Sequence, residues 1–123
     1  MYATNPNDLP IVIEDGELQV RGADHDGTTI AYFKLPAGTD LRPALKGLPD
    51  DRCPCPHYGY MLKGTVRMHT ADGHQDFTAG QVFHWAAGHA PEALSDAEYV
   101  DFSPSAELAH VVQHIVSGAA ANA

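Results

Sequence analysis

Apolar and polar residues alternate in short runs along most of the 123-residue chain, and turns bearing Gly, Pro and Asp separate the runs. Apolar runs flank Asp15-Gly16 in PIVIEDGELQV, a dipeptide that favours a two-residue hairpin turn. TTIAYFKLPAGT, residues 28 to 39, is rich in β-branched and aromatic residues and closes on Pro36-Ala37-Gly38, which predicts a second strand. DLRPALKGLPDDR, residues 40 to 52, has two prolines, a glycine and no clear period, and predicts a loop with one helical turn. The densest β region follows: YGYML, Lys63-Gly64, TVRMHT, the turn Ala71-Asp72-Gly73, HQDFTAG and VFHW. A last strand, AEYVDFS at 97 to 103, precedes the one helical pattern, in which Leu108, Val111, Val112 and Ile115 recur at helical spacing. Ser103-Pro104 or Ser105 stands where a cap is needed, so the helix is expected over about 104–116, with a frayed small-residue tail at 117–123.

Turn signals recur every eight to ten residues, the rhythm of a sandwich or small barrel. The fold class expected is therefore mostly β with one C-terminal helix, closed so that many short strands leave few exposed edges. The length suits one domain, and an apolar share of 44% is enough for one core without disulfides or metal to hold it together.

A formal charge of −9 argues against nucleic acid or an anionic membrane as partner, because phosphate binding needs clustered Lys and Arg. No apolar run approaches the roughly 20 residues of a membrane span. MYATNPNDLP has neither the basic nor the apolar region of a signal peptide, so the expected location is cytoplasmic.

Eight histidines are an excess in so short a chain, and the two cysteines fall together in CPCPH, residues 53 to 57. Each proline drives its predecessor into extended geometry, so Cys53, Cys55 and His57 are expected on one face. A Cys53–Cys55 disulfide would close a very tight loop, and a reducing cytosol disfavours it. In a straight strand, residues two apart are separated by roughly 6.6 Å, whereas metal–ligand bonds span about 2.0–2.3 Å. At most two of the three can serve one ion unless the segment bends, and other ligands must come from elsewhere. GQVFHWAAGHAPE, residues 80 to 92, supplies His84 and His89 on either side of a tight small-residue turn. The competing reading makes both cysteines small buried apolar residues and the histidines structural. His25 reads as a loop residue, His69 and His74 as solvated, and His110 and His114 as the polar side of the helix.

Together the two segments resemble the cupins, small β-barrels with two sequence motifs around an internal metal. HYGYMLKG, ending at Gly64, is similar to the second half of the first family motif, and Gly80, QVFHW and Ala86-Ala87-Gly88 are similar to the second. The resemblance covers about residues 28–103 of a single domain. His57 stands where the family has its glutamate, Asp51 and Cys53 where it has two histidines, and Pro91 where it has a third, two places after His89. The resemblance therefore implies a cupin-like β-barrel (double-stranded β-helix) with a substituted site: Cys53, His57 and His89 as metal ligands, Cys55 as the alternative thiolate and Asp51 as a possible carboxylate. One thiolate and two imidazoles suit zinc first, then iron(II) or copper. Asp51, Tyr60 and His84 are candidates to handle protons, and Tyr60, Phe77, Phe83, Trp85 and Phe102 to line a pocket. Dioxygenase, isomerase or lyase chemistry on a small organic molecule is one implied function. The other is a non-catalytic module that binds a small molecule or senses metal. A homodimer is implied by the resemblance alone.

Overall fold

The computed structural model describes residues 1–121 and consists of two antiparallel sheets and one C-terminal helix. Strands β1 (Ile11–Asp15), β2 (Leu18–His25), β3 (Thr28–Leu35), β4 (His57–Lys63), β7 (Val82–Trp85) and β9 (Ala97–Pro104) form a six-stranded sheet in the order β1-β2-β3-β9-β4-β7. The second sheet is β6-β5-β8, from β5 (Thr65–Thr70), β6 (Gly73–Thr78) and β8 (Ala90–Ala93). Helix α1 spans Ser105–Ala121.

Asp15 pairs with Leu18, so the first hairpin turns on Gly16 and Glu17. The next hairpin turns on Asp26 and Gly27, both in the left-handed region at φ 51° and 87°, as a mirror-image two-residue turn requires. His25 therefore ends a strand and pairs with Thr28, where the sequence suggested a loop. Strand β8 was not legible either, since APEA has no strand propensity; it is held by pairing along Val66 to His69.

Side chains alternate faces on β4: His57, Gly59 and Met61 point inward, while Tyr58, Tyr60 and Leu62 are exposed. On β9, Ala97, Tyr99, Asp101 and Ser103 point inward and Phe102 outward. Of the expected pocket-lining aromatics, Tyr60 and Phe102 thus lie on the outer face. Phe83 and Trp85 are buried between the sheets with stacked rings 3.6 Å apart, and Phe77 packs half-buried against them. Gly64, the motif's closing glycine, has φ 73°, and a Cβ there would lie 2.1 Å from the Asp96 carbonyl oxygen. Only glycine fits.

Leu108 and Val111 of α1 close one end of the barrel by packing with Leu45, Leu48, Cys53 and Cys55. Residues 40 to 52 carry two 3₁₀ turns, Pro43–Leu45 and Pro49–Asp51, where one helical turn was expected. The Ser105 hydroxyl bonds Thr29 and Asp24, and its N–H donates to the Gly27 carbonyl, so the helix start is tied to the β2–β3 hairpin. The helix runs on to Ala121, past the expected end near 116, in keeping with its alanines' helix propensity. The remainder of the expected tail, 122–123, lies outside the described residues. Among the described residues no helix is long and apolar enough to cross a membrane.

Candidate metal centre

Cys53 is placed by backbone pairing. Its N–H donates to the His89 carbonyl at 2.8 Å, and the Gly88 N–H donates to the Cys53 carbonyl at 2.8 Å, an isolated antiparallel bridge. CPCPH leaves extended geometry between this bridge and β4. Cys53 and His57 would be about 13 Å apart on a straight strand, yet Sγ lies 3.7 Å from Nε2. The bend that the expected clamp required is present.

Ligand atoms of Cys53, His57 and His89 all lie within 4.8 Å of one another, and all three residues are buried. Bonds of about 2.0–2.3 Å in a tetrahedral shell set ligand atoms roughly 3.3–3.8 Å apart, so a small contraction would satisfy one ion. The second nitrogen of each imidazole is engaged. His89 Nδ1–H donates to the Ala86 carbonyl at 2.6 Å, which leaves Nε2 with its lone pair free. His57 Nδ1 bonds the Ser103 hydroxyl at 2.5 Å, with Asp101 Oδ2 3.7 Å away, so its Nε2 is the atom turned to Cys53. Such outer partners fix the tautomer and ring orientation of metal-binding histidines. The donor set and its supports suit a divalent cation.

A cavity of about 50 Å³ adjoins these groups, walled in part by Trp85, Tyr99 and Asp101. Asp101 Oδ1 and Trp85 Nε1 are buried without a hydrogen-bond partner, so two residues of this wall each carry an unmatched polar atom. Burial pushes the Cys53 thiol up to about 11 and the Cys55 thiol up to about 12. It pushes His57 down to about 3, with His89 adding to the effect, and lowers His89 as well. The Asp101 carboxyl is raised well above its ordinary value by burial alone. His57 and Asp101 are close enough for an ion pair, but both shifts favour the neutral pair, because desolvation penalises both charges. Without metal the site is a set of uncharged groups. A divalent cation would reverse that preference at the thiol.

The other expected site residues lie elsewhere. Cys55 is buried beside the site, but its thiol donates to the Pro56 carbonyl at 3.6 Å and it is not in the converging set. Asp51 is exposed, and its Oδ1 accepts from the Gly47 N–H at 2.9 Å. Tyr60 is on the outer face, as is His84, which stacks on Tyr58 at 4.5 Å. None of these three candidate proton-handling residues reaches the cavity, since strand alternation turns Tyr60 and His84 away from it and Asp51 precedes the bend. His69, expected in solvent, bonds Glu92 at 2.9 Å, and His114 bonds the Lys46 carbonyl at 2.8 Å. Asp101 and Ser103 were missed. Their signal was in AEYVDFS, where an acid shares the period-two face with Ala97 and Tyr99.

A two-sheet β-barrel with an interior Cys/His/His cluster defines the class. No protein-family model matches the chain, and no curated protein sequence matches it. Solved structures do. The polyketide cyclase RemF from Streptomyces resistomycificus superposes with a TM-score of 0.61 at 12% identity, over 85% of this chain and 79% of that one. An RmlC-like cupin from Shewanella frigidimarina gives 0.59 at 13%, over 85% and 91%. KdgF from a Halomonas species gives 0.55 at 17%, over 80% and 88%. The chain has the cupin fold.

Proposed function

We propose that this chain is a mononuclear metalloprotein in which Cys53, His57 and His89 bind one divalent ion, and that it acts on a small organic molecule. The observation that carries the reading is the convergence of three buried ligand atoms within 4.8 Å. One thiolate and two imidazoles favour zinc, with iron(II) or copper behind it. Bound there, the ion would supply Lewis acidity at a position that three protein ligands leave open. Ser103 holds His57 in orientation. Asp101, kept neutral by burial and beside the cavity, is the chain's own group for holding or giving a proton to a bound molecule. Trp85 and Tyr99 exclude water. Dioxygenase, isomerase or lyase chemistry remains the implied range, and the fold likeness to a polyketide cyclase supports the enzyme reading in general terms only.

The second reading is metal binding or sensing without turnover. It is favoured by the cavity of about 50 Å³ beside the ligands, far below the roughly 300–1,000 Å³ of ordinary ligand sites. Elemental analysis of the purified protein tests what the two readings share. One equivalent of metal in the parent, lost in both Cys53→Ser and His89→Ala, is the expected result. Failure of the parent to take up metal under reducing conditions would sink both.

A further inference from the structure

The metal cavity shares part of its wall with a second opening. Phe33 and Leu41 line it, and the same two residues also line a groove of about 1230 Å³. The groove is bounded by β1 to β3, by residues 41 to 47, and by α1 at 114 to 118. Its deep wall is apolar, with Leu18, Val20 and Leu35 from the inward faces of β2 and β3, and Ile115 opposite on α1. Charge appears only towards the exposed margins: Glu14 and Asp15 on one side, Lys46 on the other. His114, which lines it, is already bonded to the Lys46 carbonyl.

We infer that this groove is the compartment for a largely apolar, uncharged organic molecule, whose one polar end passes between Phe33 and Leu41 to the metal cavity. The inference rests on the proposed metal site and names the substrate class it would serve. Three features support a small molecule over a second copy of the chain. The groove is concave and shares walls with the candidate site. Its apolar wall is recessed, since Val20 and Leu35 are 4% and 1% exposed. Its volume is of the order of ligand sites, which run to about 1,000 Å³. Among the described residues the inner wall carries no cation, and with a net charge of −9 this selects against anionic ligands.

The test uses 2-naphthol, an uncharged aromatic alcohol, and its charged analogue 2-naphthoate, titrated into metal-free and cobalt(II)-loaded protein. Probe fluorescence reads groove occupancy, and the cobalt–thiolate absorption band reads arrival at the metal. Naphthol should bind saturably to both forms, and naphthoate at least about tenfold more weakly, since an apolar wall must desolvate its charge. Val12→Asp and Val116→Lys, each at an exposed position of the groove wall, should weaken naphthol at least about tenfold with little change in folding. Leu41→Trp, which fills the passage, should abolish the shift of the cobalt band. Absence of saturable binding to folded protein would overturn the inference, as would binding indifferent to both wall variants. Self-association that displaces the probe would overturn it too, by assigning the groove to a second copy. If cobalt fails to bind but naphthol binds and responds to the wall variants, the metal site falls and the compartment stands.

Discussion

Cys53 and His89 are hydrogen-bonded through their backbones as well as convergent through their side chains: the Cys53 N–H meets the His89 carbonyl at 2.8 Å. The two sequence motifs are therefore fastened to each other by peptide groups before any ion is considered. Such a site differs from a zinc finger, whose ligands come together only when metal folds the chain.

The metal-free protein should accordingly stay folded, and metal should add stability by mass action. Free zinc at about 100 times its dissociation constant contributes roughly 2.7 kcal/mol, or a rise in Tm of about 10 °C for a domain of this size. Calorimetry with zinc and with a chelator measures the difference. Loss of the β-sheet circular dichroism signal on chelation would contradict a preformed site, and an undiminished rise in both Cys53→Ser and His89→Ala would place the metal elsewhere.

Proton release on metal binding should be close to one. Burial holds Cys53 protonated up to about 11, while His57 and His89 are lowered and already neutral at pH 7. Only the thiol must lose a proton to become a ligand. Titration calorimetry in two buffers of different ionisation enthalpy counts the protons, and the apparent affinity should rise about tenfold per pH unit between pH 6.5 and 8. Zero release would exclude Cys53 as the thiolate.

Ser103 positions His57 by accepting from Nδ1, so Ser103→Ala should weaken metal binding by about 10–100-fold while the three ligands stay in place. Competition against a chromophoric chelator measures it. Thr in place of Ser keeps the hydroxyl and should restore most of the affinity; if Ala and Thr behave alike, the hydroxyl has no orienting role.

The fold was more legible than the site, and particular residues show why. Alternation and turns located β4 to β7 and β9, because each side chain there reports its own face. Strand β8 escaped, since Ala90-Pro91-Glu92-Ala93 is a strand only through its partner β5. Cys53, His57 and His89 were identifiable as ligand-type residues near motif positions, but the prolines argued for extended geometry, and the bend between Cys53 and His57 was only a condition that the site imposed. The three candidate proton-handling residues lie away from the cavity for a different reason. Asp51, Tyr60 and His84 lie near the expected ligands along the chain, whereas the groups beside His57 come from β9, more than forty positions away. Pairing across strands decides that; the local pattern AEYVDFS shows only that Asp101 faces inward, not that it meets His57.

Stability of the metal-free protein should peak near pH 6.5 and fall on both sides. Between about pH 4 and 6.5 the unfolded chain carries a proton on His57 and none on Asp101, and the native pair carries the reverse, so their contributions cancel. His89, neutral through burial, makes stability fall as pH drops below about 6.5. Above about 6.5 Asp101 keeps its proton in the fold but not in the unfolded chain, so stability falls as pH rises, by up to roughly 1.4 kcal/mol per unit. The raised thiols add to that loss only above about pH 8.5. Urea unfolding from pH 5 to 8 tests the account. Asp101→Asn should flatten the limb between pH 6.5 and 8 and steepen the acid limb, because the His57 contribution is then no longer cancelled. An unchanged alkaline limb would mean Asp101 is ionised in the fold.

The outer face that removes Tyr60 and His84 from the cavity gives them another expected role. Tyr58, Tyr60, Leu62, Val82 and Phe102 are all exposed, and the pairing of β4 with β7 and β9 makes most of them neighbours: Tyr58 lies between His84 and Phe102, and Tyr60 beside Val82. Contiguous exposed apolar surface of this kind marks an interface more often than chance placement does. The homodimer implied by the resemblance should therefore form through this sheet face. Sedimentation velocity should show a dimer at micromolar concentration, and Tyr58→Glu or Val82→Glu should shift it to monomer by placing unpaired charge in the contact. Metal content should not change, because both side chains point away from the ligands. A parent that stays monomeric at high concentration would refute the dimer, and a dimer indifferent to both variants would locate it on another face.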